Sequence, residues 1–298
     1  MGINDIAFPN LGIYLENVGR SFSIFGFPIF IYGILIGLGI LSGVVFAASE
    51  AKRRNMNPDI IWDLAIYEIF FSIVGARIYF VATSWDTYKD HPLNVFNLRL
   101  GGIAIYGAII AAFITLFVYC KIKKVKYFVL ADTLIMGLVI GQIIGRWGNF
   151  FNREVFGDYS NGLFAMRLPI DAVRASDISA GISTHIIEGT NYIQVHPTFL
   201  YESSWNVLLF LFLWFYRKHK RFEGELFFLY LIGYGVGRFF IEAIRTDQLF
   251  IPGTNLPISM VVGAVSAVGS VIAILVLRKK FPKAQYLVDT KEEEKKTN

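Results

Sequence analysis

Apolar residues along this chain gather in long unbroken runs, not in the alternating or one-faced patterns of a water-soluble core. Seven runs, near 28–48, 60–82, 100–120, 128–150, 197–216, 224–244 and 258–278, are long enough to cross roughly 30 Å of hydrocarbon as helices. The pattern predicts an all-α polytopic membrane protein with seven transmembrane helices. Every second connection is basic: "AKRRN", "KIKKVK", "RKHKR" and the "RKK" after the last run together hold fourteen Lys or Arg. The other connections hold fewer for their length, among them Lys89 in one, Arg245 in another and Arg20 ahead of the first run. Positive loops stay in the cytoplasm, so the N-terminus is expected outside and the C-terminus inside.

One outer connection, 152–196, is too long for a simple turn. It holds turn material ("GDYSNG") and an amphipathic piece ("FAMRLPIDAVR"), and is expected to fold as a small extracytoplasmic cap between helices 4 and 5. The chain then divides into transmembrane helices 1–4 (1–151), the cap (152–196), transmembrane helices 5–7 (197–280) and a cytoplasmic tail (281–298), all one integrated membrane domain. The tail ends "KEEEKKTN", mixed in charge without apolar anchors, and is expected to be disordered. Glycines recur at four-residue spacing (Gly33 and Gly37, Gly39 and Gly43, then Gly137, Gly141 and Gly145), which lets helix backbones approach closely in lipid.

Composition agrees with the pattern: 55% of residues are hydrophobic and only 17% charged, against about 25% charged in soluble domains. The net charge of +5 arises from the basic loops, not from a phosphate-binding face, so nucleic acid is not an expected partner. A single cysteine, Cys120, excludes an internal disulfide framework and a cysteine-based metal site. His91, His185, His196 and His219 lack metal-ligand spacing, and no HExxH, Walker, Rossmann or GxSxG motif is present; neither a metal nor a cofactor is expected. "MGINDIAFPN" has no positive n-region, and the first run reads as a retained helix.

The predicted topology assigns a depth to each polar residue within the apolar runs. Tyr32, Arg77, Tyr106, Arg146 with Asn149, His196 with Tyr201 and Glu202, and Arg238 with Glu242 and Arg245 all fall toward the outer leaflet, from six helices. Charges at that depth are costly unless paired or hydrated, so they are candidates for function. Arg238, Glu242 and Arg245 share one helix face, where Arg238 and Glu242 are also spaced to form an ion pair. A guanidinium fork binds phosphate oxygens bidentately. Arg77, Arg146, Arg238 and Arg245 therefore suit an anionic phospholipid headgroup. Asp63, Glu68 and Asp132, toward the inner ends, read as caps or packing partners.

The stretch "GRWGNFFNREVFG" (Gly145–Gly157) resembles the signature of the bacterial prolipoprotein diacylglyceryl transferases. "YGILIG", "GARIYF", "HPTFLYE" and "YGVGRFFIEAIRTD" extend the resemblance along nearly the whole chain. It implies transfer of the sn-1,2-diacylglyceryl group from phosphatidylglycerol to the lipobox cysteine thiol of preprolipoproteins, releasing glycerol phosphate. It also implies a bacterial cytoplasmic-membrane protein with its active site facing the outer leaflet. By motif, Arg146, Asn149, Glu154 and Gly157 match functional signature positions, Tyr32 the first-helix tyrosine, and Arg238 with Glu242 the sixth-helix pair. The expected catalytic residues are Arg146, Arg238, Tyr106 and Glu242. Arg146, Asn149, Tyr32, Glu154, Gly157, Arg77 and Arg245 are expected to bind phosphatidylglycerol.

The sequence departs from the family in the third helix, where Tyr106-Gly107-Ala108 replaces a His-Gly-Gly segment of many members, and it reads "ISMVVG" in the last helix. A tyrosine with a pKa near 10 is a poor base, so Tyr106 is expected to position the donor lipid. The arginines are expected to favour the thiolate and to stabilise the departing phosphate. A lipid or anion transporter using the same arginines would need a polar path inward, whereas "ILIGLGILSGVVF" and "NVLLFLFLWFY" are apolar. A non-catalytic lipid-binding scaffold has no need of so dense an Arg/Asn/Glu signature. The multi-aspartate motif of CDP-alcohol phosphatidyltransferases is absent.

Overall fold

A computed structural model describes residues 1–98 and 101–281. The chain is mostly helical: α1 (Ile31–Arg53), α2 (Asp59–Thr83), α3 (Ile105–Lys123), α4 (Tyr127–Asn152), the short α5 (Ala180–Ser183), α6 (Thr198–Tyr216), α7 (Glu225–Glu242) and α8 (Ile258–Lys280). Each predicted run becomes a helix, and α1, α2, α3, α4, α6 and α8 are long and apolar enough to cross a membrane. The remaining long helix, α7, carries Glu225, Arg238 and Glu242 within its 18 residues. The tail expected to be disordered lies, beyond Phe281, outside the described residues.

The expectation of an all-α chain needs amendment. Strands β1 (Ile6–Phe8), β2 (Ile13–Leu15), β5 (Met166–Pro169) and β6 (Tyr192–Val195) form one antiparallel sheet in the order β2-β1-β5-β6. Strands β3 (Ser21–Ile24) and β4 (Phe27–Phe30) form a hairpin whose turn residues Phe25 and Gly26 both have positive φ. These strands are three or four residues long, too short for a period-two pattern to show. The pairing of Ala7 with Arg167 also joins segments far apart in sequence. The 152–196 segment thus shares its sheet with the N-terminal residues, over a core of Ile6, Phe8, Phe156, Leu168, Ile193 and Val195 that also takes Phe150 of α4 and Phe199 of α6.

The chain forms two compact units, whose boundaries fall within α1 and α4. In the unit of residues 44–134, Ala47 and Ala51 of α1 pack with Ile61 and Leu64 of α2, Leu116, Tyr119 and Cys120 of α3, and Leu130 of α4. Helices α2 and α3 cross at Gly75 and Gly107, where a Cβ on Gly107 would lie 2.4 Å from the Gly75 carbonyl oxygen. Asp63 is a packing partner, accepting from Tyr119 Oη at 3.0 Å and pairing with Lys123 at 2.8 Å. Cys120 is buried here as a small apolar filler.

In the other unit, α1 crosses α4 so closely that a Cβ on Gly43 would lie 2.6 Å from the Gly137 carbonyl oxygen. Gly39 meets Gly141 in the same way, while Gly33 and Gly37 have open space around them. The four-residue spacing therefore marks a helix crossing at some of its positions only. Helices α7 and α8 repeat the device at Gly235 and Gly263. Their far ends are tied through Glu225, fully buried, which accepts from Tyr216 Oη at 3.1 Å and from Arg278 Nε at 2.7 Å.

Candidate active site

Three helix ends build the site: the last turns of α4, the first of α6 and the last of α7. Its hub is Glu202 on α6, only 4% exposed. Its carboxylate pairs with Arg146 Nη2 at 2.9 Å, with Arg238 Nη1 at 3.5 Å and with Arg245 Nη1 at 3.8 Å. Arg238 also pairs with Glu242 at 2.6 Å, one turn along α7, as the i, i+4 spacing predicts. Arg245 lies just past α7 and is held by Asp247, Nε at 2.9 Å from one carboxylate oxygen and Nη2 at 2.7 Å from the other. The cluster therefore balances three guanidinium groups (Arg146, Arg238, Arg245) against three carboxylates (Glu202, Glu242, Asp247).

The arginines differ in what they have left to offer. The Arg146 side chain is 23% exposed, Arg238 15% and Arg245 9%. Arg146 has one short ionic contact, to Glu202, and donates one long hydrogen bond, 3.5 Å, to Asn149 Oδ1. Most of its five N–H donors are thus available to an anion. Arg245, bidentate on Asp247, is engaged in holding the chain as it leaves α7.

The signature stretch continues the network. Asn149 Nδ2 donates to Glu154 Oε1 at 3.1 Å, Asn152 Nδ2 reaches the same oxygen at 3.3 Å, and Arg174 stands 3.5 Å from Glu154 Oε2. The Tyr32 ring lies against Gly148, where a Cβ would sit 2.7 Å from Cδ2 of the ring; only glycine lets α1 bring the tyrosine this close to α4. Gly157 has the same justification. A Cβ there would lie 2.8 Å from the Ile244 carbonyl oxygen and 2.9 Å from His196 Cβ, and Gly157 bridges to Arg245 through the backbone. Buried Arg153 bonds the carbonyls of Phe151, Asn4 and Val18, tying the N-terminal segment to the end of α4. Burial lowers the pKa of His196 below the usual imidazole range; its Nδ1 lies 3.2 Å from Tyr201 Oη.

The structure brings Tyr32, Arg146, Asn149, Glu154, Gly157, Arg238, Glu242 and Arg245 into one connected set within a single unit. Arg77 and Tyr106 belong to the other unit. Arg77 is 6% exposed, and its donors go to backbone carbonyls: Nε to Val95 at 2.8 Å, Nη2 to Asn94 at 2.7 Å and Asn97 at 3.2 Å, and Nη1 to Gly101 and Gly102. The side chain organises the α2–α3 connection. Arg77→Met leaves those carbonyls unpaired, and the expected result is a fall of several degrees in Tm with faster proteolysis between 92 and 104. An unchanged Tm and cleavage pattern speaks against this assignment. Tyr106 is half-buried in the first turn of α3.

Glu202 stands among the polar residues expected toward the outer leaflet, without an assigned role, and Asp247 lies outside that set. Glu202 carried a signal, a lone carboxylate inside an apolar run. Asp247 closes the "YGVGRFFIEAIRTD" stretch, but its pairing with Arg245 is set only by the path of the chain after the last turn of α7.

A multi-helix membrane-type fold with three arginines and three carboxylates packed at its helix ends is the fold of a polytopic protein with a buried ion-pair network. Residues 20–277 match the family model described as prolipoprotein diacylglyceryl transferase. Three similar proteins are each named phosphatidylglycerol–prolipoprotein diacylglyceryl transferase. The Clostridioides difficile protein is 37% identical over 87% of this chain and 95% of its own length. The Finegoldia magna protein is 39% identical over 88% and 95%, and the Bacillus cereus (strain G9842) protein 40% over 85% and 89%. This chain belongs to the prolipoprotein diacylglyceryl transferase family.

Proposed function

We propose that the protein transfers the sn-1,2-diacylglyceryl group of phosphatidylglycerol to the lipobox cysteine thiol of a preprolipoprotein, releasing glycerol phosphate, in the first step of bacterial lipoprotein maturation. The observation that carries this reading is the Glu202-centred cluster of Arg146 and Arg238, in a chain whose relatives are named for the activity. The reading places seven helices across the cytoplasmic membrane, with α7 among them. Its charges are paired, Glu225 with Arg278 and Arg238 with Glu242, which lowers the cost of burying them. The N-terminus lies outside and the C-terminus in the cytoplasm, following the basic loops. The sheet built from residues 6–15 and 166–195 is the extracytoplasmic cap, and the site faces the outer leaflet.

In the reaction the thiol sulfur attacks the terminal glyceryl carbon, the carbon–oxygen bond to phosphate breaks, and the thiol proton finally leaves with glycerol phosphate. The open face of Arg146, with Arg238 beside it, binds the phosphate and stabilises the charge gathering on it as it departs. Three carboxylates offset the three arginines, so the cluster supplies little net field to ionise a thiol with a free pKa near 8.5. Glu154 has no guanidinium nearer than 3.5 Å among the described residues, which makes it the proton acceptor within this site. Tyr106 positions the donor lipid.

The test is purified protein in lipid nanodiscs with glycerol-labelled phosphatidylglycerol and a lipobox peptide. The expected product is a diacylglyceryl thioether on the peptide, with none on a Cys→Ser control. Absence of thioether from protein that retains its fold overturns the reading.

A further inference from the structure

Beneath the arginines, a second polar layer lies where an ordinary membrane helix bundle is apolar. Asn206 follows Glu202 by one turn on α6, and Tyr234 precedes Arg238 by one turn on α7. The two helices run in opposite directions, so both residues lie on the same side of the cluster. They line a cleft between α6 and α7 together with Glu202, Trp205, Arg238 and Ile241. One wall is set by Trp205, whose Nε1 donates to the Gly233 carbonyl at 2.9 Å. That ring fits against α7 because Gly237 has no side chain; a Cβ there would lie 2.2 Å from Nε1.

Asn206 is 2% exposed, yet its amide makes no hydrogen bond with any described residue, and neither does the Tyr234 hydroxyl. On α4 the same level holds Gln142, one turn before Arg146. Its Nε2 donates to Tyr230 Oη at 2.8 Å, while its Oε1 is buried without a partner. The Tyr230 ring stacks on Tyr234 with centroids 5.5 Å apart, which links the two sides of the layer. Gln142 Oε1 is the atom of this layer that is buried without a partner, while the Asn206 amide and the hydroxyl of half-buried Tyr234 line the cleft unbonded; structures retain such groups where a guest supplies the partner.

Resting on the transferase reading, we propose that Asn206 and Tyr234 seat the ester carbonyls of the donor lipid. The phosphate is held by Arg146 and Arg238, and the seat lies about one turn deeper, ~6 Å. In a diacyl glycerophospholipid the ester carbonyls stand a few bonds inward of the phosphate, on the acyl side of the glycerol. An amide N–H and a phenolic O–H are the donors such carbonyls accept. The seat recognises the two ester linkages that accompany the glyceryl group through the transfer. It makes the enzyme selective for ester-linked over ether-linked donors, because a group built to hydrogen-bond a substrate is left unpaired by an analogue lacking the acceptor.

The experiment compares two donors in nanodiscs: phosphatidylglycerol with acyl esters, and its dialkyl ether analogue with the same phosphate, headgroup and reacting carbon. The protein is expected to favour the ester donor by about tenfold in kcat/KM. In Asn206→Leu the preference is expected to fall to about twofold, by loss on the ester side with the ether rate unchanged. Asn206→Ser, which keeps a small donor, is expected to retain more of the preference than Asn206→Ala, and this pair is read if the leucine variant does not fold. Equal slowing of both donors in these variants, or no preference in the unmodified protein, overturns the ester seat. No thioether from either donor overturns the transferase reading itself, so the two failures are distinct.

Discussion

Glu202→Gln is expected to reduce diacylglyceryl transfer by about 10²-fold or more, although no chemistry is assigned to Glu202. The residue is buried, and its carboxylate faces Arg146 at 2.9 Å, Arg238 at 3.5 Å and Arg245 at 3.8 Å. Removing one partner of a buried charge network leaves the others uncompensated, at a cost of about 3–5 kcal/mol. Here the uncompensated group is Arg146, which turns toward lipid headgroups, because Arg238 keeps Glu242 and Arg245 keeps Asp247. Arg146 is then no longer fixed where phosphate charge develops, and each 1.4 kcal/mol lost from the transition state is about tenfold in rate. The measurement is kcat and KM in the nanodisc assay, beside Tm of the same preparation. Glu202→Asp, which keeps the charge on a shorter arm, is expected to recover part of the rate. Wild-type kcat in Glu202→Gln with an unchanged Tm rules out this role.

Arg146→Ala and Arg238→Ala are expected to lose most transfer, by about 10²–10³-fold in kcat, the scale of removing one preorganised donor from a developing charge. Arg146 has the larger expected effect, because its side chain is the more open and has only one short ionic partner. Arg146→Lys keeps the charge and loses the planar fork, so only partial recovery is expected. Tyr106→Phe, in contrast, is expected to retain measurable transfer, since a phenol near pKa 10 contributes position and not base strength. Complete loss in Tyr106→Phe, with normal folding and lipid binding, points to a chemical role for that hydroxyl and counts against the assignment.

The elements of this protein were legible in proportion to their length. Runs of about twenty apolar residues are unambiguous in a chain that must satisfy its own backbone hydrogen bonds, and each became a helix within a few residues of its expected ends. Three-residue strands such as Ile6–Phe8 carry no such signal, and their pairing with residues some 160 positions away depends on the folded chain. Among the polar residues, those repeating on one helix face were legible: the Arg238–Glu242 pair follows from i, i+4 geometry alone. The partners of Arg77 were not. From the sequence it resembled the other arginines, and only the placement of Asn94, Val95, Asn97, Gly101 and Gly102 around it shows its donors satisfied by main-chain carbonyls.

The residue pattern by itself determined the membrane-type helices, the family, and the concentration of arginine, asparagine and glutamate in "GRWGNFFNREVFG", because hydrophobic length and motif chemistry are local properties. The tertiary structure decided which charges neutralise which. Glu202 became the centre of the cluster because α4, α6 and α7 bring their ends together there, and Arg245 was withdrawn onto Asp247 by the turn after α7. It also decided which glycines mark contacts: Gly43 meets Gly137, while Gly33 meets nothing. Coulomb energy and packing depend on distances of a few ångströms between residues remote in sequence, and those distances exist only once the helices have packed.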